Sequence, residues 1–226
     1  MRLSYCRLQT IRILGPGIVP AVTKLIDSGE RVAALLAFIL LLPILILAAS
    51  VIFLLSGRPP LVAHRRVGRF GRSFWMLKFR TMWNVGRPFR LPHTSFRLIE
   101  HLHGEWVPET KRADARVSSA FARLCRKYSI DELPQLWHVV RGEMSLVGPR
   151  PITAAEWDRF YGPAAAEVLR LKPGITGLWQ TRGRNRLTYP QRRRLDLFLS
   201  RHYCLWLYLR ILGATVPRVF AGRDAW

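Results

Sequence analysis

VAALLAFILLLPILILAASVIFLLS, Val32 to Ser56, carries no charged side chain. As a helix it would extend roughly 37 Å at about 1.5 Å per residue, enough to cross the hydrocarbon of a bilayer. A single crossing is the simplest reading, and two features oppose it. Pro43, near the middle of the run, removes a backbone donor and kinks a helix. The flanks are basic on both sides, with Arg2, Arg7, Arg12, Lys24 and Arg31 before the run and Arg58, Arg65, Arg66, Arg69 and Arg72 after it. Positive charge marks the cytoplasmic side, and one crossing cannot place both ends there. A helix broken at Pro43 that enters and leaves the same leaflet can. The SGRPP exit is not a small-residue cleavage site, so a secretory leader is not indicated. The expected organisation is an N-terminal cytoplasmic or interfacial segment (1–31), a re-entrant membrane helix (32–56) and a cytoplasmic domain (57–226).

Past the anchor, LVAHRRV and SFWMLKFRTM flank the turn-like GRFGRS and are rich in strand-forming residues, which predicts a β-hairpin. Trp83 to Pro108 mixes Pro, Gly and His and reads as a loop with one short helix around Ser95 to Leu102. His101 and His103 have no third ligand nearby, so a solvated loop is preferred over a metal site there. Helical spacing follows from Val117 to Tyr128, with Phe121, Leu124 and Cys125 on one face. A second helix starts near Asp131, presents Leu133, Leu136, Trp137 and Val140, and stops at Gly142. A third covers Ala154 to Tyr161. PQRRRLDLFLSRHYCLWLYLRILGATV reads as one amphipathic helix, apolar around Leu205 to Leu212. It suits either a core position or the headgroup plane, where Arg192, Arg193 and Arg194 and the rings of Trp206 and Tyr208 favour it. The fold class expected is α+β, a monotopic membrane protein with a Pro-broken re-entrant helix, a β-hairpin, a helical cytoplasmic domain and interfacial amphipathic helices.

The chain holds 36 Lys and Arg against 14 Asp and Glu. Its partners should therefore be anionic, whether nucleic acid, an anionic leaflet or phosphate-bearing small molecules. Half the residues are hydrophobic, which excludes a disordered chain. Cys6, Cys125 and Cys204 are odd in number and widely spaced, as expected of reduced thiols facing a cytoplasm.

In so basic a chain the adjacent Asp131 and Glu132 stand out, because a cationic field holds acids ionised. Ser129-Ile130-Asp131-Glu132 fits a capping box, which would make the pair purely structural. Pro134 would then fall beyond the first helical turn, where its ring interferes. With Asp131 at or next to the N-cap, Pro134 falls inside that turn and the carboxylate meets the positive end of the helix dipole. Such a carboxylate can bind Mg²⁺ or attack phosphorus. Either role needs cations around the phosphates, and the candidates are Lys78, Arg80, Arg126 and Arg150.

KFRTM (Lys78 to Met82), SIDELPQLWHVVRGEMSLVGPRP (Ser129 to Pro151) and KPGITGLWQ (Lys172 to Gln180), followed by RGRN, resemble the bacterial sugar transferases. These are monotopic phosphoglycosyl transferases that start polysaccharide and glycan assembly. The resemblance covers roughly Lys24 to Val216. It implies that Asp131 attacks the β-phosphate of a UDP-sugar, expels UMP and holds a phosphosugar, which a polyprenyl phosphate such as undecaprenyl phosphate then accepts. It implies that Glu132 and Mg²⁺ assist, that Lys78, Arg126 and Arg150 surround the phosphates, and that Pro43 is the membrane break. Many members have Ser-Pro there, where this chain has Leu42-Pro43. No second apolar run is long enough to supply the further membrane helices of larger relatives, so a minimal catalytic unit is expected. GITGLWQ with RGRN is closer to hexose-1-phosphate transferases.

The partners expected are thus a UDP-sugar, polyprenyl phosphate and membrane lipid, not nucleic acid, at the cytoplasmic face of the inner membrane. The rival class is a membrane-tethered module that binds nucleic acid or anionic lipid through its basic residues. That alternative gives no role to an acidic pair at a helix start. Within the enzymes, a transferase that moves the sugar alone would release UDP instead of UMP.

Overall fold

The computed structural model describes residues 18–83, 98–102, 117, 119–183 and 187–221, with side chains from 26 to 219 and at 221 within those ranges. Helix α1 (Ile18–Ser56) begins upstream of the charge-free run and continues on both sides of Pro43. It stops at Gly57, whose left-handed φ of 63° lets its N–H donate to the Phe53 carbonyl at 2.8 Å. One stripe of α1 is covered: Ala34, Phe38, Leu41, Leu45, Ala48 and Ile52 recur every three or four residues and pack against the rest of the chain. The opposite face, with Leu36, Leu40, Leu47 and Leu54, is exposed and strongly apolar. Ile26–Ser56 is long and apolar enough to cross a membrane.

The same folded unit grips α1 near both ends. Near the start, Glu30 is buried and accepts from the Ser145 hydroxyl at 2.7 Å, the Leu146 N–H at 3.1 Å and the Tyr208 hydroxyl at 3.1 Å. Asp27 pairs there with Lys172 at 2.8 Å. Near the end, Ile52 packs with Phe79, Trp83 and Val117. Along a helix, Glu30 and Ile52 lie about 33 Å apart.

Strand β1 (Leu61–Val67) pairs antiparallel with β2 (Ser73–Phe79), in register from Leu61 opposite Phe79 to Val67 opposite Ser73. The turn between them uses Phe70 and Gly71, both at positive φ. The other edge of β1 pairs in parallel with β3 (Ile99–Leu102), giving the order β2-β1-β3. A strand thus stands where a short helix was expected. Leu61 needs a partner on its free edge, and Ile99 supplies it through a pairing that local composition cannot reveal. His101 lies in this strand with its ring edge-on to Trp75 at 4.8 Å, while His103 and the 95–97 end of the expected helix fall outside the described residues.

Helix α2 (Ala120–Lys127) begins later than the spacing suggested, because the Ser119 hydroxyl accepts from the Ala122 N–H at 2.9 Å and caps it. Its buried residues are Ala122 and Cys125, and Leu124 is exposed. A 3₁₀ turn (Ile130–Gln135) runs straight into α3 (Leu136–Arg141), which buries Leu136 and Val139 but leaves Trp137 exposed. Gly142, at φ 76°, ends α3 as expected.

Strands β4 (Ser145–Val147) and β5 (Gly174–Thr176) pair in parallel. Their motifs share a reason for glycine: a Cβ on Gly148 would meet the Lys172 carbonyl, and one on Gly174 would meet the Gly148 backbone. Between them α4 (Ala154–Glu156) opens with a full capping box from Thr153 and continues as a wider π turn, Trp157–Tyr161, before α5 (Ala165–Val168). After β5 come α6 (Leu178–Arg182), α7 (Tyr189–Arg201) and α8 (Leu205–Ala221). The C-terminal stretch is therefore two helices, not one. The break lets Leu199 of α7 and Tyr208 and Ile211 of α8 reach one core with Val147 and Leu178. The outer side of α8 keeps Leu205, Trp206, Leu209 and Val216 exposed, so α8 is both a core helix and an apolar surface.

Candidate active site

The acidic pair is placed by a turn. Ser129 adopts a left-handed φ of 58°, uncommon for a residue with a Cβ and costing on the order of 1 kcal/mol. It follows the end of α2 and reverses the chain into the 3₁₀ turn, with the Glu132 N–H donating to the Ser129 carbonyl at 3.1 Å. The Ser129 side chain makes no capping bond, so the capping box is not formed. Asp131 and Glu132 occupy the first turn of this 3₁₀ segment, and Pro134 lies further inside it, past the first turn where it was expected.

Two cations reach this turn from separate elements. Lys78 of β2 contacts Glu132 Oε1 through Nζ at 2.7 Å. Arg126, in the last turn of α2, acts electrostatically on Asp131. Their combined pull does not hold Asp131 ionised at its ordinary value. Burial first, and then the neighbouring Glu132, push its carboxyl up to about 6, while Lys78, Arg126 and its own backbone N–H draw it back. Burial and the like charge one residue away thus outweigh the cationic field that was expected to hold Asp131 ionised. The same corner raises the Cys125 thiol to about 11 through burial and Asp131, so that thiol is not a nucleophile at neutral pH. Neither Cys125 nor Cys204 forms a disulfide among the described residues, and Cys6 lies outside them.

His138 braces the arrangement, and nothing in its sequence context marks it out. Its Nε2 accepts from the Leu77 N–H at 3.0 Å, beside Lys78, and its Nδ1 faces Glu143 at 2.6 Å. Burial lowers its pKa and favours the neutral ring, which can accept at Nε2 while donating from Nδ1.

Arg80 and Arg150 have other attachments. The Arg80 guanidinium pairs with Glu100 of β3 and donates from Nε to the Pro59 carbonyl at 2.8 Å, tying the sheet to the exit of α1. Arg150 follows β4 and belongs to a buried cluster. There Glu156 accepts from Arg66 at 3.0 Å, from the Thr153 N–H at 2.9 Å and from the Tyr189 hydroxyl at 3.1 Å, with Arg150 at 3.7 Å. Arg150 and Arg192 both lie over the Trp179 ring, at 5.0 and 5.5 Å. Fully buried Asp196 accepts from the Tyr161 hydroxyl at 2.7 Å in the same cluster.

Beside the acidic pair opens a cleft of about 130 Å³. Tyr128, Glu132 and Leu136 line one side, Ile175 and Gln180 another, and Thr215 and Arg218 of α8 close it. The sequence named none of the α6 and α8 residues here, because they reach the site only through tertiary packing.

A half-buried Asp-Glu pair on a helix-starting turn, flanked by a strand lysine and a helix arginine, with the SLVGPRP and PGITG segments packed backbone to backbone behind it, is a combination with known counterparts. Residues 21–222 match the bacterial sugar transferase family. The chain belongs to it.

Relatives within this sugar transferase family include the exopolysaccharide production protein ExoY of Rhizobium meliloti, 39% identical over 88% of this chain and 87% of that protein. The UDP-glucose:undecaprenyl-phosphate glucose-1-phosphate transferase of Caulobacter vibrioides is 36% identical over 97% of this chain and 79% of its own length. The undecaprenyl-phosphate galactose phosphotransferase of Salmonella typhimurium is 38% identical over 75% of this chain, a match that spans only 35% of that enzyme.

Proposed function

We propose that this sugar transferase moves a sugar-1-phosphate from a UDP-sugar to a polyprenyl phosphate in two steps through a phosphosugar on Asp131, initiating exopolysaccharide assembly. The observation that carries the proposal is the acidic pair beside the cleft, with Glu132 lining it and Asp131 the adjacent residue. Asp131 has a pKa near 6, so at neutral pH it is ionised yet poorly solvated, the state suited to a nucleophile. In the first step an Asp131 oxygen bonds to the β-phosphorus and the bond from that phosphorus to the bridging oxygen breaks. UMP leaves with the electron pair. Arg126 stands beside Asp131 to offset charge on the phosphate oxygens, and Lys78 holds Glu132 in place. The names of the Caulobacter and Salmonella relatives support the lipid acceptor and a hexose donor, glucose in one and galactose in the other.

The carboxylates of Asp131 and Glu132 fit Mg²⁺, which takes oxygen ligands and commonly uses one or two carboxylates together with substrate phosphates. A bound Mg²⁺ would neutralise phosphate charge. Glu132, already held by Lys78, would be the steadier ligand.

The grip on α1 supports a monotopic anchor. A helix crossing the bilayer would carry its Glu30 and Ile52 levels to opposite sides of roughly 30 Å of hydrocarbon, yet one folded unit holds both. We therefore place the catalytic domain on the cytoplasmic face, with α1 embedded by its exposed apolar side and Pro43 at the membrane break.

The test is the leaving nucleotide. Protein in detergent, given UDP-glucose or UDP-galactose and undecaprenyl phosphate, should release UMP. Release of UDP would make it a transferase of the sugar alone and overturn the proposal.

A further inference from the structure

Among the described residues, Glu132 and Arg218 are the charged ones lining the cleft beside the acidic pair. Its walls are largely aliphatic, with Leu133, Leu136, Ile175 and Val219. The polar side chains among them are mostly engaged with protein. The Gln180 amide donates to the Ile175 carbonyl at 2.7 Å and its Oε1 is sealed from solvent. The Thr181 hydroxyl donates to the Leu178 carbonyl at 3.0 Å, and the Thr176 and Thr215 hydroxyls bond each other at 2.8 Å. A sugar or a uracil ring seeks several free donors and acceptors, and this lining offers few. Arg218, by contrast, is exposed and makes no hydrogen bond or ion pair among the described residues.

An amphiphile with one anionic head suits such a cleft. The exposed apolar side of α8, with Leu205, Trp206, Leu209 and Val216, lies around the helix from the side on which Thr215, Arg218 and Val219 line the cleft, so the apolar contacts at Arg218 come from the cleft walls. The Thr176–Thr215 bond pins this part of α8 to the end of β5, which fixes the turn bearing Arg218 over the cleft. A headgroup seated in the cleft therefore meets Arg218 on one side and Glu132 on the other.

We propose that this cleft seats the head of the polyprenyl phosphate acceptor, with Arg218 binding its phosphate and the aliphatic walls taking the first isoprene carbons. The assignment rests on the two-step reading above and adds where the second substrate enters. There, an oxygen of the dianionic acceptor phosphate bonds to the phosphorus held on Asp131. The bond from that phosphorus to the Asp131 oxygen breaks, its electron pair returns to the carboxylate, and no proton moves. Arg218 offsets the charge of the incoming phosphate and of the diphosphate formed.

The two half-reactions separate this assignment from the reading it rests on. UMP burst and protein labelling are measured with UDP-sugar alone, and product formation with undecaprenyl phosphate varied. Arg218→Leu should raise KM for undecaprenyl phosphate by about tenfold, the size of one charge-assisted contact, with the burst amplitude retained and Arg218→Lys recovering part of the loss. Ile175→Trp, which fills the cleft without touching charge, should likewise impair transfer more than labelling. An unchanged KM in Arg218→Leu would overturn the assignment, and so would equal loss of burst and transfer, which would place Arg218 on the donor side. Absence of a burst from the unsubstituted protein would instead overturn the two-step reading, and the acceptor cleft with it.

Discussion

Two polar clusters, built from the same residue types, behave in opposite ways. Around Glu156, the carboxylate is sealed from solvent but surrounded by donors: Arg66, the Thr153 N–H, Tyr189 and the nearby Arg150. Burial alone would raise its pKa, and its partners outweigh that, so it lies below the usual carboxylate range. Around Asp131 the balance reverses. Burial and Glu132 outweigh Lys78 and Arg126, and the pKa rises to about 6. A carboxylate whose lone pairs are all engaged is a brace. One that is ionised against its surroundings, next to the cleft-lining Glu132, still has reactivity to give.

Exchanging the roles is the strongest way to break this contrast. Asp131→Asn should lower UMP release on the order of 10³-fold or more without loss of stability. The folded pKa of Asp131 lies above the unfolded value, so its ionisation opposes folding as pH rises toward 6, and the amide removes that penalty. Glu156→Ala should do the opposite, destabilising the fold by about 3–5 kcal/mol in denaturant titration because it leaves the buried Arg66 charge uncompensated. A stable, active Glu156→Ala would show that the second cluster is not a brace.

Lys78→Met probes the open cluster more gently. Lys78 lowers the pKa of Asp131, so its loss should move the acid limb of the pH–rate profile for UMP release upward from about 6 and cut the rate at pH 7 by about tenfold. A downward move of that limb would contradict the charge account. The smallest effect concerns Asp196, whose carboxyl is raised to about 7, chiefly by burial. Its folded pKa exceeds the unfolded value, so its contribution is present at low pH and lost as pH rises through 7. Asp196→Asn should flatten the fall in melting temperature between pH 5 and 8, and an unchanged slope would place that titration elsewhere.

The long apolar helix and the acidic pair were legible because each is contiguous: a charge-free run and two adjacent acids need no tertiary context. Lys78 was legible through KFRTM and Arg126 through its place just before the acidic pair, and the structure shows Lys78 bonded to Glu132 and Arg126 acting on Asp131. What escaped depends on distant partners. The pairing of Arg80 in KFRTM with Glu100 escaped because only β3 brings Glu100 to it. Asp196 in QRRRLDLF looks like one charge on a polar helix face, although that face turns inward onto Tyr161. The break between α7 and α8 has no Pro or Gly at His202 to Cys204 to announce it; it is set by where Leu199 and Tyr208 must pack. β3 is short and pairs in parallel with β1, so no local turn signals it.

The central claim is that Asp131 itself carries the phosphosugar. Intact-mass analysis of the protein quenched after mixing with UDP-glucose or UDP-galactose, without polyprenyl phosphate, tests it directly. The account predicts an adduct of one hexose phosphate that peptide mapping places on Asp131, that disappears on adding undecaprenyl phosphate and that Asp131→Asn never forms. An adduct on another residue, or undiminished transfer by Asp131→Asn, would contradict it.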